Sequence, residues 1–95
     1  MLPGLKYYLS TFNNFNKMKV LAFGIVKEIF SNSVVDVDLA DHVTINQLKT
    51  LLEEKYPRLN LLGSYMIALN NEYASGNDVI RGGDEIAIIP PVSGG

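Results

Sequence analysis

Residues 34–39 alternate strictly: Val35, Val37 and Leu39 fall on one side, and Asp36 and Asp38 on the other. A period of two with one apolar side predicts a half-buried strand of an antiparallel pair. Upstream, Met18 opens a second strand-like pattern. It runs through Lys19-Val20-Leu21-Ala22-Phe23 and is closed by Gly24. Between the two, Val26, Ile29 and Phe30 share one face of a short helical turn, and Ser31-Asn32-Ser33 has turn chemistry. The pattern thus predicts an opening hairpin with a wide connection.

The period then changes. Ile45, Leu48, Leu52 and Tyr56 recur at helical spacing with Leu51 beside them, while Lys49, Glu53 and Glu54 stay outside. Such a stripe predicts one amphipathic helix over 45–56, its apolar side turned to a core. Thr44 is placed to cap its start, with Gln47 completing a capping box. Pro57 predicts its end, because the residue before a proline is driven out of the α region.

After an irregular 58–64, Tyr65 to Leu69 reads as a third strand. Asn70-Asn71 follows as a tight turn and Glu72-Tyr73-Ala74 as a short return. A loop over 75–78 leads to Val79-Ile80, an anchor, and Arg81-Gly82-Gly83-Asp84 turns the chain into Glu85-Ile86-Ala87-Ile88-Ile89. This last strand is apolar on both sides, as expected for a central strand. The order β-β-α-β-(β)-β predicts an α+β fold: a mixed sheet of four to five strands with one main helix packed across it. With the first and last strands side by side and parallel in the middle, the topology is the β-grasp, or ubiquitin-like, arrangement. The expected division is an N-terminal extension over 1–17, poorly ordered and dispensable, a β-grasp domain over 18–89 and an extended tail over 90–95.

Composition narrows the chemistry. At 95 residues, 47% hydrophobic and 19% charged, the chain has the make-up of one small globular domain. Eight basic and ten acidic side chains are interspersed and give a net charge of −2. That argues against a nucleic-acid surface and against a polybasic membrane contact. No apolar run approaches the length of a membrane span, so a cytoplasmic location is the default expectation. With no cysteine there is no disulfide and no thiolate chemistry on this chain. His42 is the only histidine and has no partner at ligand spacing, so no metal site is expected. Asp36 and Asp38 are explained by alternation, and Gly82-Gly83 lacks the spacing of a phosphate loop. Ser93 has no nearby base.

What remains is the end of the chain, Pro90-Pro91-Val92-Ser93-Gly94-Gly95. It carries no charged side chain, and Val92 is its only bulky residue. The prolines hold it extended, with a reach of roughly 20 Å at about 3.3 Å per residue. Glycines at the last two positions let another protein close tightly around the terminal carboxylate. A chance Gly-Gly ending occurs in roughly 0.5% of chains at ordinary glycine usage, so the spacer carries more weight than the two glycines. The tail reads as a probe that presents the Gly95 carboxylate to a partner's active site.

Val20-Leu21-Ala22-Phe23-Gly24 with Val26-Lys27-Glu28, Val43-Thr44-Ile45 with Leu48, and Ala68-Leu69-Asn70-Asn71-Glu72 resemble the small subunit of molybdopterin synthase, a ubiquitin-like sulfur carrier. The most specific match is Gly83-Asp84-Glu85-Ile86-Ala87-Ile88-Ile89 running into Pro90-Pro91-Val92-Ser93-Gly94-Gly95. The resemblance covers 18–95 and leaves 1–17 unaccounted for. It implies a non-catalytic sulfur donor in a heterotetrameric synthase. An activating enzyme of the ubiquitin-E1 type, an adenylyltransferase, adenylates the Gly95 carboxylate with ATP; no cofactor is bound by the carrier. A sulfur donor protein then makes the thiocarboxylate. The large synthase subunit takes the tail, Pro90, Pro91, Val92, Ser93 and Gly94 included, into its active site, where sulfur passes to cyclic pyranopterin monophosphate. An ionised carboxylate is a poor electrophile, which is why activation must come first. By position in the family, Phe23 and Ile89 are candidates for hydrophobic docking and Lys27 for a polar contact, with ordinary core the alternative for Phe23 and Ile89. The chain departs from many relatives at Ile88 and Ile89, where they carry aromatics, and at Asn71, where they carry glycine. Two alternatives stand beside the synthase role: a ubiquitin-like modifier joined to lysines through Gly95, and a thiamine-pathway sulfur carrier.

Overall fold

The computed structural model describes residues 16–91. Strand β1 (Asn16–Ala22) leads into a short helix α1 (Gly24–Phe30), strand β2 (Val34–Leu39) and helix α2 (Ile45–Lys55). A 3-10 helix (Pro57–Leu62) follows, then β3 (Met66–Leu69), β4 (Glu72–Tyr73) and β5 (Ile86–Ile89). The sheet has five strands in the order β2-β1-β5-β3-β4. β1 pairs antiparallel with β2 and parallel with β5, and β5 pairs antiparallel with β3. This is the mixed β-grasp sheet expected from the pattern, with first and last strands parallel at its centre.

β1 begins at Asn16, so its first two residues lie on the N-terminal side of the Met18 boundary. Asn16 pairs with Leu39 and Lys17 with Asp38. The alternation Lys17-Met18-Lys19-Val20 explains the earlier start: Met18 and Val20 enter the core while both lysines face water. The segment 58–64, expected to be irregular, instead holds most of the 3-10 helix, which buries Leu59.

Helix α2 begins and ends where its caps require. The Thr44 hydroxyl accepts the Gln47 N–H at 3.2 Å and the Gln47 side-chain oxygen accepts the Thr44 N–H at 2.9 Å. Two otherwise orphaned donors are thereby satisfied. Ile45, Leu48 and Leu52 are buried against the sheet, with Leu48 and Leu52 fully enclosed. They meet Met18, Val20, Val37, Leu39, Ile67, Ile86 and Ile88 from the sheet. The Tyr65 phenol donates to Glu53 at 2.6 Å and ties α2 to the start of β3. Burial and that carboxylate both push the phenol's pKa up.

Two asparagines make the β3–β4 turn. Asn70 and Asn71 both have positive φ, 54° and 68°, the conformation a two-residue hairpin demands and asparagine tolerates. The 81–84 turn places Gly83 at φ 88°, and Val79 bridges to Thr44 while Ile80 is buried.

Candidate docking face and tail base

The sheet has one face under α2 and one without a covering element among the described residues. Register assigns side chains to the second face. Leu21 lies opposite Ala87, Ala87 opposite Ala68, Ala68 opposite Tyr73, and Met66 opposite Ile89. Phe23 follows Leu21 on the same side by alternation. Alanines at the centre and large residues around them leave a groove of about 350 Å³ lined by Leu21, Phe23, Ala68, Tyr73, Ala87 and Ile89, with Glu85 and Asn71 at its polar end. Phe23 is 48% exposed, Met66 46% and Tyr73 67%. Apolar side chains in such an array are the mark of an interaction surface, whereas scattered single ones are not.

Phe23 is therefore on the outer face and not in the core. It stands at the N-cap of α1 with extended backbone (φ −127°, ψ 154°), and its carbonyl accepts the N–H groups of Val26 and Lys27. This junction aims the ring along the open face while α1 turns the chain away. Lys27 is exposed one turn into α1 and lines a second shallow cleft with Phe23, Gly24, Ser33 and Val34. The structure thus brings Phe23, Lys27 and Ile89 to one end of the molecule, Phe23 and Ile89 in the same groove.

The base of the tail leaves from that end. Ile86 and Ile88 are fully buried and fix β5 between β1 and β3. Pro90 is half-buried and Pro91 exposed. A Cβ added to Gly24 would come within 3.2 Å of Pro90 Cγ, and Gly24 itself has φ 55°. Val92, Ser93, Gly94 and Gly95 lie outside the described residues.

Leu21, Met66, Ala68, Tyr73 and Ala87 belong to this face and were not singled out from sequence. The available signal was the second apolar side of β5, Ala87 and Ile89. A fully enclosed strand shows it, and so does a strand with one face under a helix and one face offered to a partner.

At the other end of β5 a polar clamp sets the strand's entry. The Asn70 side chain donates to Asp84 at 3.0 Å and accepts the Glu85 N–H at 2.9 Å. The Arg81 N–H donates to the same carboxylate at 2.7 Å. These bonds, the Asn70 amide foremost, hold the Asp84 pKa below its ordinary range. His42 is exposed with φ 66°, and Asp36 forms an exposed ion pair with Lys19 at 3.5 Å. Among the described residues no group of three His, Cys, Asp or Glu is placed to hold a metal ion. No described helix is long and apolar enough to cross a membrane.

A profile described as "ThiS family" matches residues 20–95. The chain belongs to the ThiS family. Within the ThiS family it sits among the molybdopterin synthase sulfur carrier subunits: one of these, from Dictyostelium discoideum, is 40% identical over 84 residues, covering 84% of this chain and 98% of the relative. Among solved structures, SAMP1 from Haloferax volcanii is 27% identical with a TM-score of 0.71, covering 84% of this chain and all of that one. The complex of subunits 1 and 2 of the molybdopterin-converting factor from Helicobacter pylori contains a chain 29% identical with a TM-score of 0.59. That match covers 83% of this ThiS-family chain and 99% of the other.

Proposed function

We propose that this chain is the sulfur carrier subunit of molybdopterin synthase and that the Gly95 carboxylate is the group that carries the sulfur. The observation that supports this most is the geometry of the tail base. A strand locked between two neighbours ends at Ile89 and hands the chain to Pro90, beside an apolar face that has Phe23 and Ile89 at the same end. Such an arrangement suits a carrier whose domain docks while its terminus reaches into a foreign site.

The chemistry follows from the carboxylate. Attack on ATP by the Gly95 oxygen gives an acyl adenylate and pyrophosphate, which turns a poor electrophile into a good one. Hydrosulfide delivered by a donor protein adds to the acyl carbon, displaces AMP and leaves a thiocarboxylate. The large synthase subunit then receives the tail; the thiocarboxylate sulfur bonds to cyclic pyranopterin monophosphate, and water cleaves the acyl C–S bond and returns Gly95 to a carboxylate. An E1-like adenylyltransferase performs the first step, in the cytoplasm. Domain docking makes the transfer effectively unimolecular, since the reactive sulfur is confined near its acceptor. A large-subunit partner is supported by the two-subunit complex that contains the Helicobacter pylori relative.

The test is intact mass spectrometry after incubation with the cognate activating enzyme, ATP and a sulfur source. A rise equal to the difference between sulfur and oxygen is expected, and no rise refutes the carrier role. A second reading is favoured by the likeness to SAMP1 from Haloferax volcanii, an organism whose small archaeal modifier protein 1 shares the fold. In it, Gly95 forms an isopeptide with a lysine of another protein. Lysine-linked Gly-Gly remnants on cellular proteins, absent when Gly95 is deleted, would favour this reading.

A further inference from the structure

We propose that the outer edge of β2 is a second interaction surface, which takes an extended segment of a partner protein carrying basic side chains two residues apart. β2 ends the sheet on one side and β4 on the other. β4 is two residues long, whereas β2 has six, enough to hold an added strand.

The register says which main-chain groups face outward. The Ala22 N–H donates to the Ser33 carbonyl at 2.8 Å, and this pair continues the β1–β2 ladder. Bonded pairs alternate with unbonded ones in an antiparallel ladder, so Val35, Val37 and Leu39 bond to β1. The N–H and C=O groups of Val34, Asp36 and Asp38 point the other way. Among the described residues no other backbone bond reaches them. Three evenly spaced residues thus offer a donor and an acceptor each, the template on which a strand is added.

Their side chains decide what kind of strand fits. Val34, Asp36 and Asp38 share the open face and are exposed. A residue directly opposite on an added strand would have its Cβ about 5 Å away. Lys19 reaches Asp36 at 3.5 Å from the β1 side, with both side chains well exposed, so the pair is loose and the outer side of the carboxylate stays open. Lys17 stands opposite Asp38 in the same register. A Lys or Arg opposite each aspartate would complete rows of alternating sign across three strands, and an apolar residue would meet Val34. A second copy fits poorly. In the registers that use most of β2, its Asp36 falls opposite Asp36 or Asp38, and like charges directly opposite repel. β1 separates this edge from β5, so a strand bound here leaves Ile89 and the base of the tail uncovered.

The test uses the full chain and a synthetic peptide of alternating valine and lysine, with an alternating valine–glutamate peptide beside it. In the chain alone, amide hydrogen exchange should be fast at Val34, Asp36 and Asp38 and slow at Val35 and Val37. Slow exchange at all five means that the edge is already filled, by this chain or a second copy, and overturns the proposal. Saturation with the valine–lysine peptide should slow Asp36 and Asp38 and shift their amide signals most. No binding at millimolar peptide, equal binding of the glutamate peptide, or shifts centred on Ala87 and Ile89 in the groove each overturn it. Asp36→Asn combined with Asp38→Asn should weaken the valine–lysine peptide roughly tenfold and leave the exchange pattern of the unbound chain as it was. Undiminished affinity in that variant would refute a basic partner. Sulfur loading of Gly95 is read separately, so failure of one does not entail failure of the other.

Discussion

Gly24 faces Pro90 across the junction where the tail leaves the sheet: a Cβ at Gly24 would stand 3.2 Å from Pro90 Cγ. Gly24 also has φ 55°, a conformation that costs a residue with a Cβ about 1–2 kcal/mol. Gly24→Ala should therefore lower stability by about that amount and push the base of the tail off its seat. Urea unfolding measures the first effect. The second should appear as slower sulfur loading at a temperature where the variant is fully folded; unchanged loading would mean that the seat of Pro90 does not guide the tail.

The exposed Phe23 ring separates docking from folding. Phe23→Asp removes a side chain that is about half in water, so unfolding should be little affected. Binding to the large subunit should weaken on the order of 30-fold, the size of a ~2 kcal/mol hot spot. Calorimetry against the isolated large subunit decides between this and a bystander ring.

At the terminus the expected split is sharper. Deleting Gly95, or adding one residue after it, should abolish sulfur loading and leave the circular dichroism melt unchanged. Retained loading would refute a mechanism that uses the terminal carboxylate.

The capping box of α2 predicts a purely structural effect. Thr44→Ala leaves the Gln47 N–H without its acceptor and should cost about 1 kcal/mol. Thr44→Ser should restore most of it, as read from denaturant midpoints.

The clamp at Asp84 predicts a dependence on acid. A carboxyl whose pKa is lowered on folding stabilises the native state above its unfolded value of about 3.9, and that contribution is lost as pH falls through the lower, folded value. Asn70→Gly keeps the positive φ but removes the amide that contributes most to the lowering. The stability gap between native chain and variant should be largest near neutral pH and narrow below about pH 4, leaving the pH-independent loss of the Glu85 N–H bond. Urea melts across that range test it; a gap that stays constant would mean the Asn70–Asp84 bond does not perturb the carboxyl.

Helix α2 was legible to within a residue because Thr44, Gln47 and Pro57 each act locally, through bonds and sterics that need no distant partner. The central place of β5 was legible because Ile86 and Ile88 alternate with Ala87 and Ile89, and few strands are apolar on both sides. The 3-10 helix was not, since one buried residue, Leu59, in six gives no period to read. Phe23 was ambiguous for a similar reason: at the end of a strand, alternation gives its side, but only the placement of α2 says which side is covered. The open face as a whole depends on that choice, which is made by packing between residues far apart in sequence. The tail was read as a probe from its composition and as a sulfur carrier from the family resemblance, and its last four residues lie outside those described.

The parallel pairing of β1 with β5 has a consequence for how the domain is made. On a ribosome, β5 is the last of the described strands to be synthesised, yet it belongs in the middle of the sheet, between β1 and β3. Until it arrives, two separate hairpins present unsatisfied inner edges to each other and to any other strand nearby. Closing them requires a contact spanning most of the domain, the kind of non-local step that slows folding. The strand that launches the tail is thus also the keystone of the sheet, and in a crowded cell the unfilled slot is where one newborn chain is most exposed to capturing the strand of another.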